Sequence, residues 1–150
     1  MKRLLFVLAS AMLAGCSLNT TEVADNPSDP TKDSYASSLN IDLTKFTKTT
    51  NGVYYKDITV GTGPVLTGTP TIQFTYAGLL TNGTIFDSHD HYVYALSGLI
   101  FGMQEGLQGM HQGGERMLII PSALGYGNTT GLPIPPNSTI LFDVRLDLIP

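Results

Sequence analysis

The residues of this chain that could do chemistry are mostly aromatic. Tyr76, Phe86, Tyr92, Tyr94, Phe101, Tyr126 and Phe142 are spread over the part of the chain that reads as folded. Rings placed this way either fill a core or line an apolar pocket, in which a few polar groups, here Asp87 and the Tyr126 hydroxyl, would give direction. Other chemistries have less support. No Ser lies in a Gly-x-Ser-x-Gly elbow, and no paired carboxylates suggest acid–base work. The run Asp87-Ser88-His89-Asp90-His91 puts two Asp and two His in five residues. A metal site would need a further ligand from elsewhere, so the run reads as a polar surface loop. His111 reads as exposed. No metal and no cofactor are expected.

The elements that must position these side chains follow from hydrophobic period. Val53 to Thr59 reads as a strand, and Ile72, Phe74 and Tyr76 alternate with Gln73 and Thr75 as in a half-buried strand. Asn82-Gly83 signals a hairpin into Thr84-Ile85-Phe86. Leu99, Ile100, Met103, Leu107 and Met110 recur at helical spacing. Gly102, Gly106 and Gly109 fall among them, each costing about 1 kcal/mol relative to Ala in a helix. Such a helix is expected to be short and bent, or to lie close against a sheet. Glu115 to Ile120 reads as a strand, and Pro121 to Ser138 as a long loop of the kind that carries function. In the last strand Ile140, Phe142, Val144, Leu146 and Leu148 should face one way, and Leu141, Asp143, Arg145 and Asp147 the other. The sum is an α+β domain, an antiparallel sheet crossed by one short helix.

Composition bounds the partners. The chain has 150 residues, 42% hydrophobic and 13% charged, with a net charge of −4 and no basic stripe, so nucleic-acid binding is not expected. A single Cys excludes an intramolecular disulfide. That Cys closes an N-terminal targeting pattern: Lys2-Arg3, then an apolar run from Leu4 to Ala14 too short to span a bilayer, then Leu13-Ala14-Gly15-Cys16. The pattern resembles the lipobox of bacterial lipoproteins. It implies a signal peptide over 1–15, lipid attachment at Cys16 and, with Ser17 rather than Asp next, an outer-membrane destination facing the periplasm. Residues 16–48 then read as the lipidated Cys and a flexible polar tether, although Leu39, Ile41, Leu43 and Phe46 are apolar enough to dock or turn. The folded domain is expected over 49–150.

The order of motifs in that domain is recognisable. Tyr76-Ala77-Gly78, Phe86-Asp87-Ser88, Gly102-Met103-Gln104-Glu105-Gly106-Leu107, Gly113-Gly114-Glu115-Arg116, Gly125-Tyr126-Gly127, Ile134-Pro135-Pro136 and Leu141-Phe142-Asp143-Val144 follow at spacings that resemble the FKBP-type peptidyl-prolyl cis-trans isomerase family. The resemblance implies a twisted antiparallel β-sheet wrapped around one short α-helix, with a proline pocket between them. By position, it makes Tyr76, Phe86 and Phe142 aromatic walls and Asp87 a buried carboxylate beside them. Leu99 and Ile100 would lead into the helix, with the Ile100 N–H binding a substrate carbonyl. Tyr126 would donate its hydroxyl to a carbonyl, and Tyr94 would sit lower in the pocket. Met103 stands where the family usually has Trp. The segment from Ser88 to Ser97 is short, and the loop from Asn128 to Pro136 is one residue shorter than usual.

The implied activity is rotation about Xaa-Pro bonds in unfolded or partly folded exported proteins, with macrolides such as rapamycin as competing ligands. The alternative is a weakly catalytic or non-catalytic proline-binding or chaperone module of the cell envelope. The tether lacks a long helical arm, so a monomer is expected.

Overall fold

Residues 27–150 are described by a computed structural model. The predicted leader and Cys16 lie outside them. The alternating segments form strands: β1 (Thr47–Lys48), β2 (Tyr54–Thr59), β3 (Thr71–Leu80), β4 (Ile85–Ala95), β5 (Glu115–Ile120) and β6 (Ile140–Leu148). They make one antiparallel sheet in the order β1-β2-β5-β6-β3-β4. The β3–β4 turn closes as the Asn82-Gly83 pair predicts. Gly83 takes φ +87° and Asn82 Oδ1 accepts from the Thr84 N–H.

The only α-helix among the described residues, α1 (Phe101–Gly106), spans six residues. It is both short and close to the sheet, the two outcomes its glycines allow. A Cβ on Gly102 would overlap Ile120 Cγ2, so any larger residue would force either the Ile120 side chain or the helix to move. Leu107 and Met110 lie beyond the helix but stay in the core, at 1% and 2% exposure. They join Val53, Ile72, Phe74, Met103, Leu118, Ile120, Phe142 and Val144 in one apolar cluster between α1 and the concave side of the sheet. Arg116 of β5 fixes the end of the helix: its Nη1 donates to the carbonyls of Gly106 (2.9 Å) and Gln108 (3.0 Å).

Two expectations need correction. Asp87–His91 is not a loop but the middle of β4. Its pairing with β3 slips by one residue there: Phe74 faces Tyr92, but Tyr76 faces His89. The extra residue is a bulge, with His91 at φ +51° and its N–H donating to Thr75 Oγ1. Nor is the segment upstream of residue 49 a free tether over its described part. Thr47–Lys48 pairs with β2, and 3₁₀ turns form at Ser37–Leu39 and Leu43–Lys45. Tyr35, Leu39, Ile41, Leu43 and Phe46 pack on Tyr54, Ile119 and Leu141, on the side of the sheet away from α1. This strap explains why Leu141, which the alternation of β6 turns outward, is fully buried, while Leu148, counted inward, is 45% exposed past the strand's covered part.

Candidate functional site

Between the concave side of the sheet and the start of α1 lies a cavity of about 260 Å³ lined by Tyr76, Asp87, Tyr92, Tyr94, Gly98, Leu99, Ile100, Met103, Tyr126 and Phe142. Strand β3 supplies Tyr76, β4 supplies Asp87 and the two further tyrosines, β6 supplies Phe142, and the loop after β5 supplies Tyr126. Met103 is 3% exposed and closes the bottom from the helix. Phe86 stands behind the wall, edge-on to Phe142 (5.7 Å) and to Tyr126 (6.3 Å). It faces a second, smaller hollow of about 180 Å³ with Asp87, Tyr126, Leu132, Pro133 and Ile134. Gly78 makes the ring packing possible, since a Cβ there would come within 2.7 Å of Phe86 and 3.0 Å of Phe142. A larger hollow of about 330 Å³ is lined by Tyr76 and Ala77 together with Thr75, Ser88 and the charged Asp90, Glu115, Asp143 and Arg145.

The polar groups of the cavity have distinct states. Tyr76 donates its hydroxyl to Asp87 Oδ2 at 2.7 Å. Burial, then this bond and the Asp87 charge, push the Tyr76 phenol well above its ordinary range. Burial, followed by the charge of Asp87, also raises Tyr126. Both phenols therefore stay protonated donors near neutral pH. The Tyr126 hydroxyl and the Ile100 N–H have no acceptor among the described residues. Ile100 takes up the N-cap position, where helix N–H groups have no partner within the helix. The cavity thus offers two free donors above an apolar base, with one carboxylate already engaged.

The structure brings the predicted site residues among those described into one neighbourhood, with three changes of place, the first being Phe86, which stands behind the cavity wall rather than in it. Asp87 is not buried: its side chain is 45% exposed, because β4 is the sheet's edge and leaves the carboxylate at the mouth, with His89 Nε2 at 3.8 Å. Tyr94 is not low in the pocket but at its rim, 40% exposed. The ring nearer the base is Tyr92, which meets Phe74 edge-on at 5.7 Å and carries Tyr94 stacked on its other side at 5.4 Å. Sequence reasoning counted Tyr92 only among the scattered aromatics. The signal that could have found it is the Tyr92-Val93-Tyr94 alternation, which puts both rings on one face. His111, expected to be exposed, is half-buried, with Nδ1 3.0 Å from the Gly63 carbonyl oxygen.

An antiparallel sheet folded over a six-residue helix, with a ring-lined cavity at the helix start, defines an α+β domain with an apolar pocket. The family model described as FKBP-type peptidyl-prolyl cis-trans isomerase matches residues 61–147. A probable FKBP-type peptidyl-prolyl cis-trans isomerase of Haemophilus influenzae is 41% identical over 113 residues, covering 71% of this chain and 47% of that protein. The peptidyl-prolyl cis-trans isomerase Mip of Chlamydia muridarum is 40% identical over 100 residues, covering 64% of this chain and 40% of that protein. Among solved structures, FkpA from Escherichia coli superposes with a TM-score of 0.67 at 31% identity, covering 75% of this chain and 54% of that one. A peptidyl-prolyl cis-trans isomerase from Pseudomonas syringae gives 0.66 at 29%, covering 69% and 80%. The chain belongs to the FKBP-type peptidyl-prolyl cis-trans isomerase family. It spans less than half the length of these two curated relatives.

Proposed function

We propose that this chain catalyses cis–trans rotation of Xaa-Pro bonds in exported proteins, held at the bacterial cell envelope by lipid on Cys16. The observation that carries the catalytic part is the cavity itself: apolar walls and base, with the Tyr126 hydroxyl and the Ile100 N–H free beside them. Rotation about a peptide bond costs about 18–20 kcal/mol because it breaks amide resonance. In the twisted state the carbonyl and nitrogen no longer conjugate and the group is less polar. An apolar site that grips the proline ring therefore favours the twisted form over the planar one. The two donors hold flanking carbonyls, and only contacts that strengthen in the twisted state speed the step. Lowering the barrier by about 5 kcal/mol gives several thousandfold. No proton moves, so Asp87 serves as the acceptor that orients Tyr76 rather than as a base.

A second reading, a proline-binding or chaperone module with little turnover, draws on Met103. A flexible thioether makes an adaptable base that grips less rigidly. The pattern ending at Cys16 supports an outer-membrane lipoprotein facing the periplasm; in this reading unfolded proline-containing chains are its partners, and it acts as a monomer because residues 16–48 hold no long helical arm in their sequence pattern. Among the described residues no helix is long and apolar enough to cross a membrane.

The test is cis-to-trans exchange of an Xaa-Pro peptide with the full chain in detergent, with and without rapamycin. Fast exchange blocked by the macrolide supports the enzyme. A folded sample without acceleration would overturn the catalytic reading and favour the binding module.

A further inference from the structure

Upstream of the strap, Ser28 meets the turn that follows β5 and carries Tyr126. The Ser28 N–H donates to Ser122 Oγ at 2.8 Å, and the Ser122 N–H donates back to Ser28 Oγ at 2.8 Å. Thr139 Oγ1 donates to the same Ser28 oxygen at 2.8 Å. Ser122 and Thr139 are 1% and 2% exposed, so each needs a partner inside the protein. Ser28 is delivered there by a tight turn: Asp29 Oδ1 accepts from the Thr31 N–H and hydroxyl, Pro30 follows Asp29, and the Lys32 N–H donates to the Asp29 carbonyl at 2.9 Å.

What Ser122 holds on its other side is the backbone of Tyr126. The Ser122 carbonyl accepts from the N–H of Gly125 (3.0 Å) and of Gly127 (2.8 Å), the two residues that flank Tyr126. The Gly127 carbonyl in turn accepts from the Asn137 N–H at 2.7 Å, tying this turn to the stretch that ends at Thr139. Two glycines flank the one tyrosine, so its backbone has little stiffness of its own. Its direction is set by what clamps the turn at both ends: Ser28 bonds one clamp, Ser122, directly, and reaches the other, Asn137, through Thr139 two residues further on.

We propose that Ser28 is a positioning residue for Tyr126: its paired bonds to Ser122, with the bond from Thr139, hold the Gly125–Gly127 turn so that the phenol stays at the cavity. Ser28 lies outside the segment matched by the family model, residues 61–147. The role rests on the isomerase reading of the site, because a donor placed on the substrate is what makes the position matter.

The experiment compares the full chain with Ser28→Ala and, as a control for strap packing alone, Leu43→Ala. Leu43 packs in the strap's apolar cluster. Exchange kinetics give kcat and KM separately, urea unfolding gives stability, and ¹³C-tyrosine NMR follows the Tyr126 titration. Ser28→Ala is expected to lower kcat about tenfold, as small misplacements of a reacting group do. It should also move the Tyr126 titration down towards an ordinary tyrosine, because burial is the first cause of its elevation. Leu43→Ala should cost stability while leaving both readouts as in the parent chain. An unchanged kcat and an unchanged Tyr126 titration in folded Ser28→Ala would overturn the proposal. So would equal changes of both readouts in Leu43→Ala. If the parent chain shows no isomerisation, the isomerase reading fails, and the Tyr126 titration still decides whether Ser28 sets that turn.

Discussion

Tyr126 and Tyr76 carry the same hydroxyl with different duties. Tyr76 spends its proton on Asp87, whereas Tyr126 has no acceptor among the described residues. Removing the two oxygens should therefore have opposite signatures. Tyr126→Phe should leave stability within about 0.5 kcal/mol, since no protein bond is lost. It should lower kcat/KM for an Xaa-Pro peptide by about tenfold, the loss of one well-placed donor. Tyr76→Phe should cost about 1 kcal/mol in a urea unfolding curve, because it removes the hydrogen bond from the phenol to the half-exposed Asp87 carboxylate. Met103 is a further residue-scale test. Met103→Ala, 3% exposed in the parent, should cost about 2–5 kcal/mol and deepen the cavity base. A loss of stability without weaker peptide or rapamycin binding would remove Met103 from the site and leave it in the core.

At the scale of elements, Arg116 joins three of them. From β5 it donates through Nε and Nη2 to Asp57 of β2 (2.6 and 3.2 Å), caps the end of α1, and lies 4.5 Å over the Tyr55 ring. A six-residue helix cannot hold itself in water, so its geometry is borrowed from contacts such as these. Arg116→Met should lower stability by about 2–3 kcal/mol, seen as a lower urea midpoint at unchanged slope; Asp57 is partly exposed and can rehydrate, which keeps the loss below that of a sealed pair. The strands beside it show what alternation can reveal. β5 was read at its true bounds, and β3 and β6 were found because one face of each is apolar. The β4 bulge was hidden, because a single residue at φ +51° leaves no mark in hydrophobic period, and the unbroken polar run made Asp87–His91 look like a loop. The strap was half legible: Leu39, Ile41, Leu43 and Phe46 stood out as able to dock or turn, but not where they would dock. Its apolar residues are few and sit in polar sequence, and their partners are single residues on three different strands. Leu141, apolar on the face counted as polar, was the visible sign that something covers that face. The site was legible to the extent that its side chains come from strands and from the helix start. Tyr92 was within reach of the Tyr92-Val93-Tyr94 alternation, whereas the rim position of Tyr94 needed the fold.

For the whole molecule, two aspartates on the last strand should shape stability against pH in opposite ways. Asp147 is held below the usual carboxylate range. Burial alone would raise it, but hydrogen bonds from Arg145 and Thr75, with the charges of Arg145 and His91, outweigh that. A carboxylate lowered in the fold adds stability above its unfolded value of about 3.9 and loses it as pH falls through the folded value below that. Asp143 is raised, first by burial and then by Glu115. Its charged form is disfavoured in the fold, so it costs stability at neutral pH, and the cost is relieved as pH falls through its raised value towards about 4. Asp143→Asn should therefore be more stable than the parent at pH 7, with the gap closing on the way down to about pH 4. Asp147→Asn should be less stable at pH 7, with its gap surviving to about pH 4 and closing only below it. Urea midpoints of the three proteins between pH 3 and 7 would separate the two windows. Parallel curves across that range would mean that neither carboxylate changes its proton affinity on folding, and the acid response of the molecule would then have to come from the other acidic residues of the chain.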